Sequence, residues 1–321
     1  SDLLPENELE SFKSKNYRLI FCIGFPGCGI DSQIEKVCNE FKYGKIDLKE
    51  KVKKEIESDT DIGKQSKEYL DKNEPLPKEL SVYYVVHYSL EHKEKQTILI
   101  NGFPLKLEDA QYFEQNISQI ELILRFNATE ETCLRNLSED PANKTNEEEF
   151  KKKYEEMNNE FSLLTEFYSA YSLIREINCN QPIDNINNLL KQNLYPKIYS
   201  IIGKRYSGKT TLSKVLKERT GIETFDFNEF IKCKELSKRK NENEFIVSKL
   251  INKLRHMRTI RILIEDFPQN KEQYIYFVNN CKNFEKIYYL DADNSSCLER
   301  LNDICLEDPN YTDSSTLSEL L

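Results

Sequence analysis

Tryptophan is absent from the 321 residues, and histidine occurs only three times, at 87, 92 and 256. Nine cysteines are present, but no two stand in a C-x-x-C spacing. With so few histidines, that leaves no ligand pattern for a structural zinc, and buried reduced thiols in a cytosolic compartment are the plain expectation. No apolar run approaches the ~20 residues of a membrane-spanning helix, and no signal peptide is visible. Positive charge is in deficit: 46 Lys and Arg stand against 55 Asp and Glu, a net charge of −9. That balance excludes a general nucleic-acid or membrane-surface binder. The first residue is Ser1 rather than Met, so the chain reads as a segment of a longer protein. What it has in quantity is Phe (17) and Tyr (18), within a 38% hydrophobic fraction. That suffices for the cores of two ordinary domains.

Only nine glycines are available, and they concentrate in two loops. The first, GFPGCGID (24–31), follows the apolar run YRLIFCI and precedes SQIEKVCNEF. The second, GKRYSGKT (203–210), follows KIYSII and precedes TLSKVLKERTG. Gly203 lies 179 positions after Gly24, and Gly208 lies 179 after Gly29. IDLKEKVK (46–53) matches FDFNEFIK (225–232) at the same offset. ILINGFP (98–104) matches ILIEDFP (262–268) at an offset of 164, and RFNATEETCLRNL (125–137) matches LDADNSSCLERL there too. One lost block of 15 residues, the difference between the offsets, accounts for the change. The pattern is a tandem duplication.

Each copy alternates short β-branched runs with amphipathic stretches. YRLIFCI, the region near Ile46, QTILING and IELILRF read as strands; SQIEKVCNEF, KELSVYYVVHYSL and EDAQYFEQNI read as helices. The expected fold is α/β: two tandem P-loop domains, each a parallel sheet flanked by helices. The long charged stretch from Glu147 reads as a helix with Phe150, Tyr154, Phe161 and Leu164 along one side. The expected organisation is an N-terminal segment (1–15), a first domain (16–193), a short linker (194–197) around Pro196, and a second domain (198–321).

The ordered series of motifs resembles the adenylate kinase family of nucleoside monophosphate kinases over nearly the whole chain. GFPGCGID resembles the family's GxPGxGK[ST] loop, SDTDIGKQSKEYLDKNEPLPKEL (58–80) its AMP-covering segment, INGFPL (100–105) its LDGFPR, and FYSAYSLIREIN (167–178) its C-terminal hairpin region. The resemblance implies a P-loop for ATP, a small helical domain for AMP, and arginines that clamp an in-line phosphoryl transfer with magnesium.

Copy one departs from that pattern wherever charge matters. Gly24, Gly27 and Gly29 keep the turn, but Ile30 stands for the loop lysine and Asp31 for its serine or threonine. Lys53, Asn101 and Leu105 replace the expected arginine, acid and arginine, and the two later arginines fall on Asn136 and Asp140. Phosphoryl transfer is positioning and charge neutralisation, so this site reads as degenerate. Asp31 is expected to cap the following helix and satisfy the amides that would otherwise welcome phosphate.

Copy two carries a complete Walker A loop in strand–loop–helix context. Gly203, Ser207, Gly208, Lys209, Thr210 and Thr211 are the candidate nucleotide-binding residues. Lys209 is the candidate group for the β and γ oxygens, and Thr210 and Glu265 are candidates for Mg²⁺. By the resemblance, Arg300 packs against adenine; a solvated helix arginine is the alternative. Gln269 stands for the LDGFPR arginine and Ile304 for a lid arginine, while the AMP-covering segment is missing. Nothing matches residues 154–190, so one sheet face is expected to need a covering partner. The basic run KCKELSKRK (232–240) reads as a solvated face or a protein contact.

Three functions compete. The first is a nucleotide-binding, adenylate-kinase-like module with a scaffolding role, ATP or ADP with Mg²⁺ bound by domain two only. Its partners are then other proteins of a larger assembly, with no nucleic acid and no membrane. The second is an active adenylate kinase, and the third a P-loop ATPase using Glu265. Resemblance to proteins with repeated, decayed domains of this family implies a cytoplasmic location and extends to the ciliary or flagellar axoneme.

Overall fold

The fold is taken from a computed structural model, which describes residues 3–139, 146–169, 173–233, 236, 242–255, 257 and 259–307. Two compact units divide the chain, Ser1–Asn193 and Leu194–Leu321. Asp140, His256 and most of the basic run 232–240 lie outside the described residues.

In the first unit the order is α1 (Glu6–Lys15), β1 (Arg18–Gly24), α2 (Ile30–Phe41), β2 (Gly44–Asp47), α3 (Leu48–Glu57), α4 (Asp61–Asp71) and α5 (Lys78–Glu91). There follow β3 (Thr97–Asn101), α6 (Leu107–Asn116), β4 (Ile123–Asn127), α7 (Glu130–Ser138), α8 (Glu147–Tyr168), β5 (Ile174–Asn178) and α9 (Ile183–Leu194). The strands form one parallel sheet in the order β2-β3-β1-β4-β5. β1 is buried from Arg18 through Ile23, as expected for a central strand covered on both faces.

The second unit contains β6 (Lys197–Gly203), α10 (Lys209–Thr220), β7 (Glu223–Asp226), α11 (Phe227–Ile231), α12 (Asn243–Arg255), β8 (Arg261–Glu265), α13 (Lys271–Asn280), β9 (Phe284–Leu290) and α14 (Asn294–Glu307). Its parallel sheet has the order β7-β8-β6-β9, that of the first unit without β5. The registers agree as well. Cys22 faces Asn101 and Ile201 faces Glu265; Asp47 faces Asn101 and Asp226 faces Glu265; Gly24 faces Phe126 and Gly203 faces Leu290. Each pair is the other shifted by the sequence offsets.

Packing follows the same correspondence. Phe21, Phe103 and Phe113 form an aromatic cluster, and Phe267 and Phe277 meet Phe227 and Phe284 at matching places. Each fully buried ring contributes about 1.5–3 kcal/mol of transfer free energy. Along α8, Phe150, Phe161, Leu164 and Tyr168 are buried, and Phe25 packs on Tyr154 and Phe161. Tyr154 is half-buried, and its hydroxyl donates to Ala128 O at 2.7 Å.

The N-terminal segment 1–15 includes a helix, α1, whose Phe12 is buried and whose Glu8 Oε2 lies 3.2 Å from His87 Nδ1 on α5. The 167–178 stretch supplies no described hairpin; Ile174–Asn178 lies parallel to β4, since α8 provides the crossover that a parallel strand requires. β9 is an edge strand of the described sheet, with Tyr288 and Tyr289 49% and 61% exposed. The matching β4 is flanked by β1 and β5 and is buried over Ile123–Phe126.

Candidate functional site

Both loops sit where the central strand of a parallel sheet turns into a helix, at the strand C-terminal ends where ligands of open α/β sheets bind. In the second unit, Gly208 takes φ 99° and opens α10 with no side-chain cap. The first amides of α10 are therefore left for an anion. Lys209 is 7% exposed and its ammonium is turned back on the loop. It donates to Gly203 O at 2.8 Å and Lys204 O at 2.7 Å, and Asp266 Oδ1 lies 3.2 Å away. Thr210 Oγ1 donates to Glu265 Oε2 at 2.9 Å. Thr211 is exposed in the first turn, and Ser207 is buried within the loop. Hydroxyl and carboxylate oxygens at that spacing are hard donors of the kind Mg²⁺ takes alongside phosphate and water. Thr210 and Glu265 therefore fit the ion.

The first unit builds the same places from different chemistry. Ile30, 7% exposed, fills the lysine position with an apolar side chain. Asp31 Oδ1 accepts from Asn101 Nδ2 at 2.5 Å, and the same amide donates to Asp47 Oδ2 at 2.7 Å. The helix-capping role expected for Asp31 is not seen: Gly29 is the N-cap of α2 and no side-chain cap bond is present. Asp31 lies inside the first turn with its carboxylate turned to the Asn101 amide instead. Burial, reinforced by the Asp47 charge, raises the Asp31 pKa above the ordinary carboxylate value.

Position by position, the two units make equivalent contacts. The 31–101 pair of one and the 210–265 pair of the other join the same two sites with donor and acceptor exchanged. Asn136 Nδ2 donates to Gly27 O at 2.8 Å, and Arg300 Nη1 donates to Tyr206 O at 2.8 Å. Asp47 and Asp226 each cap the next helix, accepting from Glu50 N and Glu229 N at 3.0 Å. Arg300 is exposed on α14 and holds the loop through this contact, which an asparagine also makes.

Lys53, Arg125 and Arg175 of the first unit are engaged elsewhere. Lys53 is exposed and lies 3.7 Å from Glu57. Buried Arg125 donates to Thr165, Glu176 and Asn158, and buried Arg175 donates to Asn193 O. Leu105 is 38% exposed, and its N–H and that of Lys106 bond Asp109 Oδ2. In the second unit Gln269 N–H bonds Gln273 Oε1 in the same way, while the Gln269 amide donates to Asn228 Oδ1.

Two residues had been passed over. Tyr206 and Asp266 hold φ 61° and 60° where the first unit has Gly27 and Gly102 at φ 84° and 89°. A Cβ at Gly27 would meet Cys133 O at 2.5 Å, so only glycine fits there. The sequence signal was available: EDFP against NGFP puts a carboxylate on a glycine position beside the loop lysine.

A family model described as "Adenylate kinase" matches residues 22–173. "Adenylate kinase isoenzyme 1" of Oryctolagus cuniculus is 27% identical over 180 residues, covering 54% of this chain and 92% of that protein. The Homo sapiens protein of the same name is 26% identical over 180 residues with the same coverage. "Adenylate kinase" of Staphylococcus epidermidis is 28% identical over 123 residues, 37% of this chain and 57% of that protein.

Proposed function

Since residues 22–173 belong to the adenylate kinase family, we propose that the chain is a nucleotide-binding member in which only the second unit retains a phosphate-binding loop. It would hold ATP or ADP with Mg²⁺. The observation that carries this reading is the contrast at one position: a lysine turned into the loop in the second unit, a buried isoleucine in the first. Phosphoryl transfer needs concentrated positive charge around the moving group. The first unit has no lysine or arginine within its loop 24–31, where two carboxylates share one amide. It is therefore proposed to be catalytically inert.

Within the second unit the roles divide simply. Amides of the 205–210 turn would cradle phosphate, Lys209 would reach its outer oxygens, and Thr210 and Glu265 would hold Mg²⁺. The ion's chemistry there is to neutralise phosphate charge. No residue of this unit aligns with an AMP-side arginine clamp. A structural role in a larger protein assembly, of the cytoplasmic and axonemal kind implied by the resemblance, follows as the proposed use. The exposed β9 edge, with Tyr288 and Tyr289, supports a covering partner.

The competing reading, an active adenylate kinase, is favoured by one observation: the match spans 92% of the Oryctolagus cuniculus relative. The family match over residues 22–173 includes α4, at the place of the AMP-covering segment. A coupled assay separates the two. Purified chain mixed with ADP is expected to yield no ATP or AMP above background; turnover above background would establish the kinase instead, in the second unit if it disappears in Lys209→Ala and in the first if it survives.

A further inference from the structure

Asp266 has no counterpart in the first unit. Its carboxylate lies 3.2 Å from Lys209 Nζ and accepts from Asn228 Nδ2 at 2.9 Å, while Gln269 donates to Asn228 Oδ1 at 2.7 Å. The chain Gln269–Asn228–Asp266 thus aims a carboxylate at the loop lysine. An ammonium has three N–H donors; Gly203 O and Lys204 O take two of them, and Asp266 Oδ1 pairs with the charge at 3.2 Å. The position is left-handed in both units, and Asp266 holds it at φ 60°, a conformation that Asp tolerates better than most residues with a Cβ. The first unit keeps Gly102 there, at φ 89°.

We infer that Asp266 sets the phosphate preference of the second loop, which takes a nucleoside diphosphate in preference to a triphosphate. The inference rests on the nucleotide-binding reading of that loop. A diphosphate needs one lysine donor, which Gly203 O or Lys204 O can surrender while the carboxylate stays paired. A triphosphate gripped at both β and γ oxygens needs two, and it carries the additional charge toward Asp266. Any phosphate oxygen hydrogen-bonded to Lys209 Nζ comes within about 6 Å of the carboxylate oxygen. At an effective dielectric near 20, with salt screening, one further negative charge at that range weakens binding on the order of tenfold. Asn228 and Gln269 fix the carboxylate, so it cannot swing away without losing bonds.

Calorimetric titration of the full chain with ADP and with ATP, at one fixed free Mg²⁺ concentration, tests this. The wild type is expected to favour ADP. Asp266→Asn keeps the shape and the Asn228 bond but removes the charge, and Asp266→Gly restores the residue type of the first unit. Both are expected to tighten ATP about tenfold and ADP far less, with thermal melts verifying the fold, and Lys209→Ala is expected to lose both ligands. Lys209-dependent binding with an ATP-to-ADP ratio unchanged in both Asp266 variants would overturn the inference and leave the site reading standing. If neither nucleotide binds any of these chains at millimolar concentration, the site reading fails and the inference with it.

Discussion

Replacing Asn101 by the acid of the second unit, Asn101→Glu, places a third carboxylate between Asp31 and Asp47. The amide now donates to both, at 2.5 and 2.7 Å. The change removes two bonds to carboxylates and sets new negative charge against two others. Each such pair at ~4 Å costs up to about 4 kcal/mol at an effective dielectric of 20. Partial exposure and proton uptake reduce this, so about 3 kcal/mol is the expected loss at pH 7.5. Asp31→Thr alone loses one bond and relieves the acid pair, and should fall within about 1 kcal/mol of wild type. Combining them rebuilds the Thr210–Glu265 pairing of the second unit, with Asp47 present as Asp226 is there. The double variant should recover most of the loss, a coupling of about 2 kcal/mol. Urea denaturation of the four chains, followed by circular dichroism at constant slope, reads it. Strict additivity would show that the two units do not share one architecture at this pair.

Other outcomes follow from particular residues. Tyr206→Gly should stabilise the chain by about 1 kcal/mol in thermal or urea melts, since φ 61° is strained for a bulky residue and not for glycine. Phe161→Ala, which removes a fully buried ring from beneath Phe25 and Arg125, should cost about 3–5 kcal/mol in the same melts. Asp31 has a raised folded pKa, so its contribution is fully favourable below the unfolded carboxylate value and is lost as pH rises through the folded one. Wild type should therefore fall behind Asp31→Asn in stability as pH climbs from 3 to 7; a pH-independent gap would contradict the assignment.

Much of the fold was legible because two independent signals agreed. Alternating apolar runs gave β1, β3 and β4, and the 179 and 164 offsets carried the same reading to β6, β8 and β9. Those offsets return in the strand registers, because a parallel sheet holds its register through side chains buried on both faces. α1 escaped notice since only Phe12 of its ten residues is buried, which leaves little periodicity to detect. At the site, the types at 30, 31, 101, 209, 210 and 265 announced which loop had charge. Where that charge pointed was not legible. The bond between Asp31 and Asn101 spans 70 residues, and the pairing of Lys209 with Asp266 depends on a left-handed turn at a position where the aligned residue is glycine. Nor could sequence reveal that Arg300 and Asn136 hold equivalent loop carbonyls, since the two side chains share only a donor N–H.

The claim beneath these readings is that phosphate is held by one cation in one of two otherwise matching loops. Native mass spectrometry of the chain with ADP counts what each loop holds. One nucleotide per chain is expected, and none in Lys209→Ala. Two per chain, or one that survives Lys209→Ala, would contradict it.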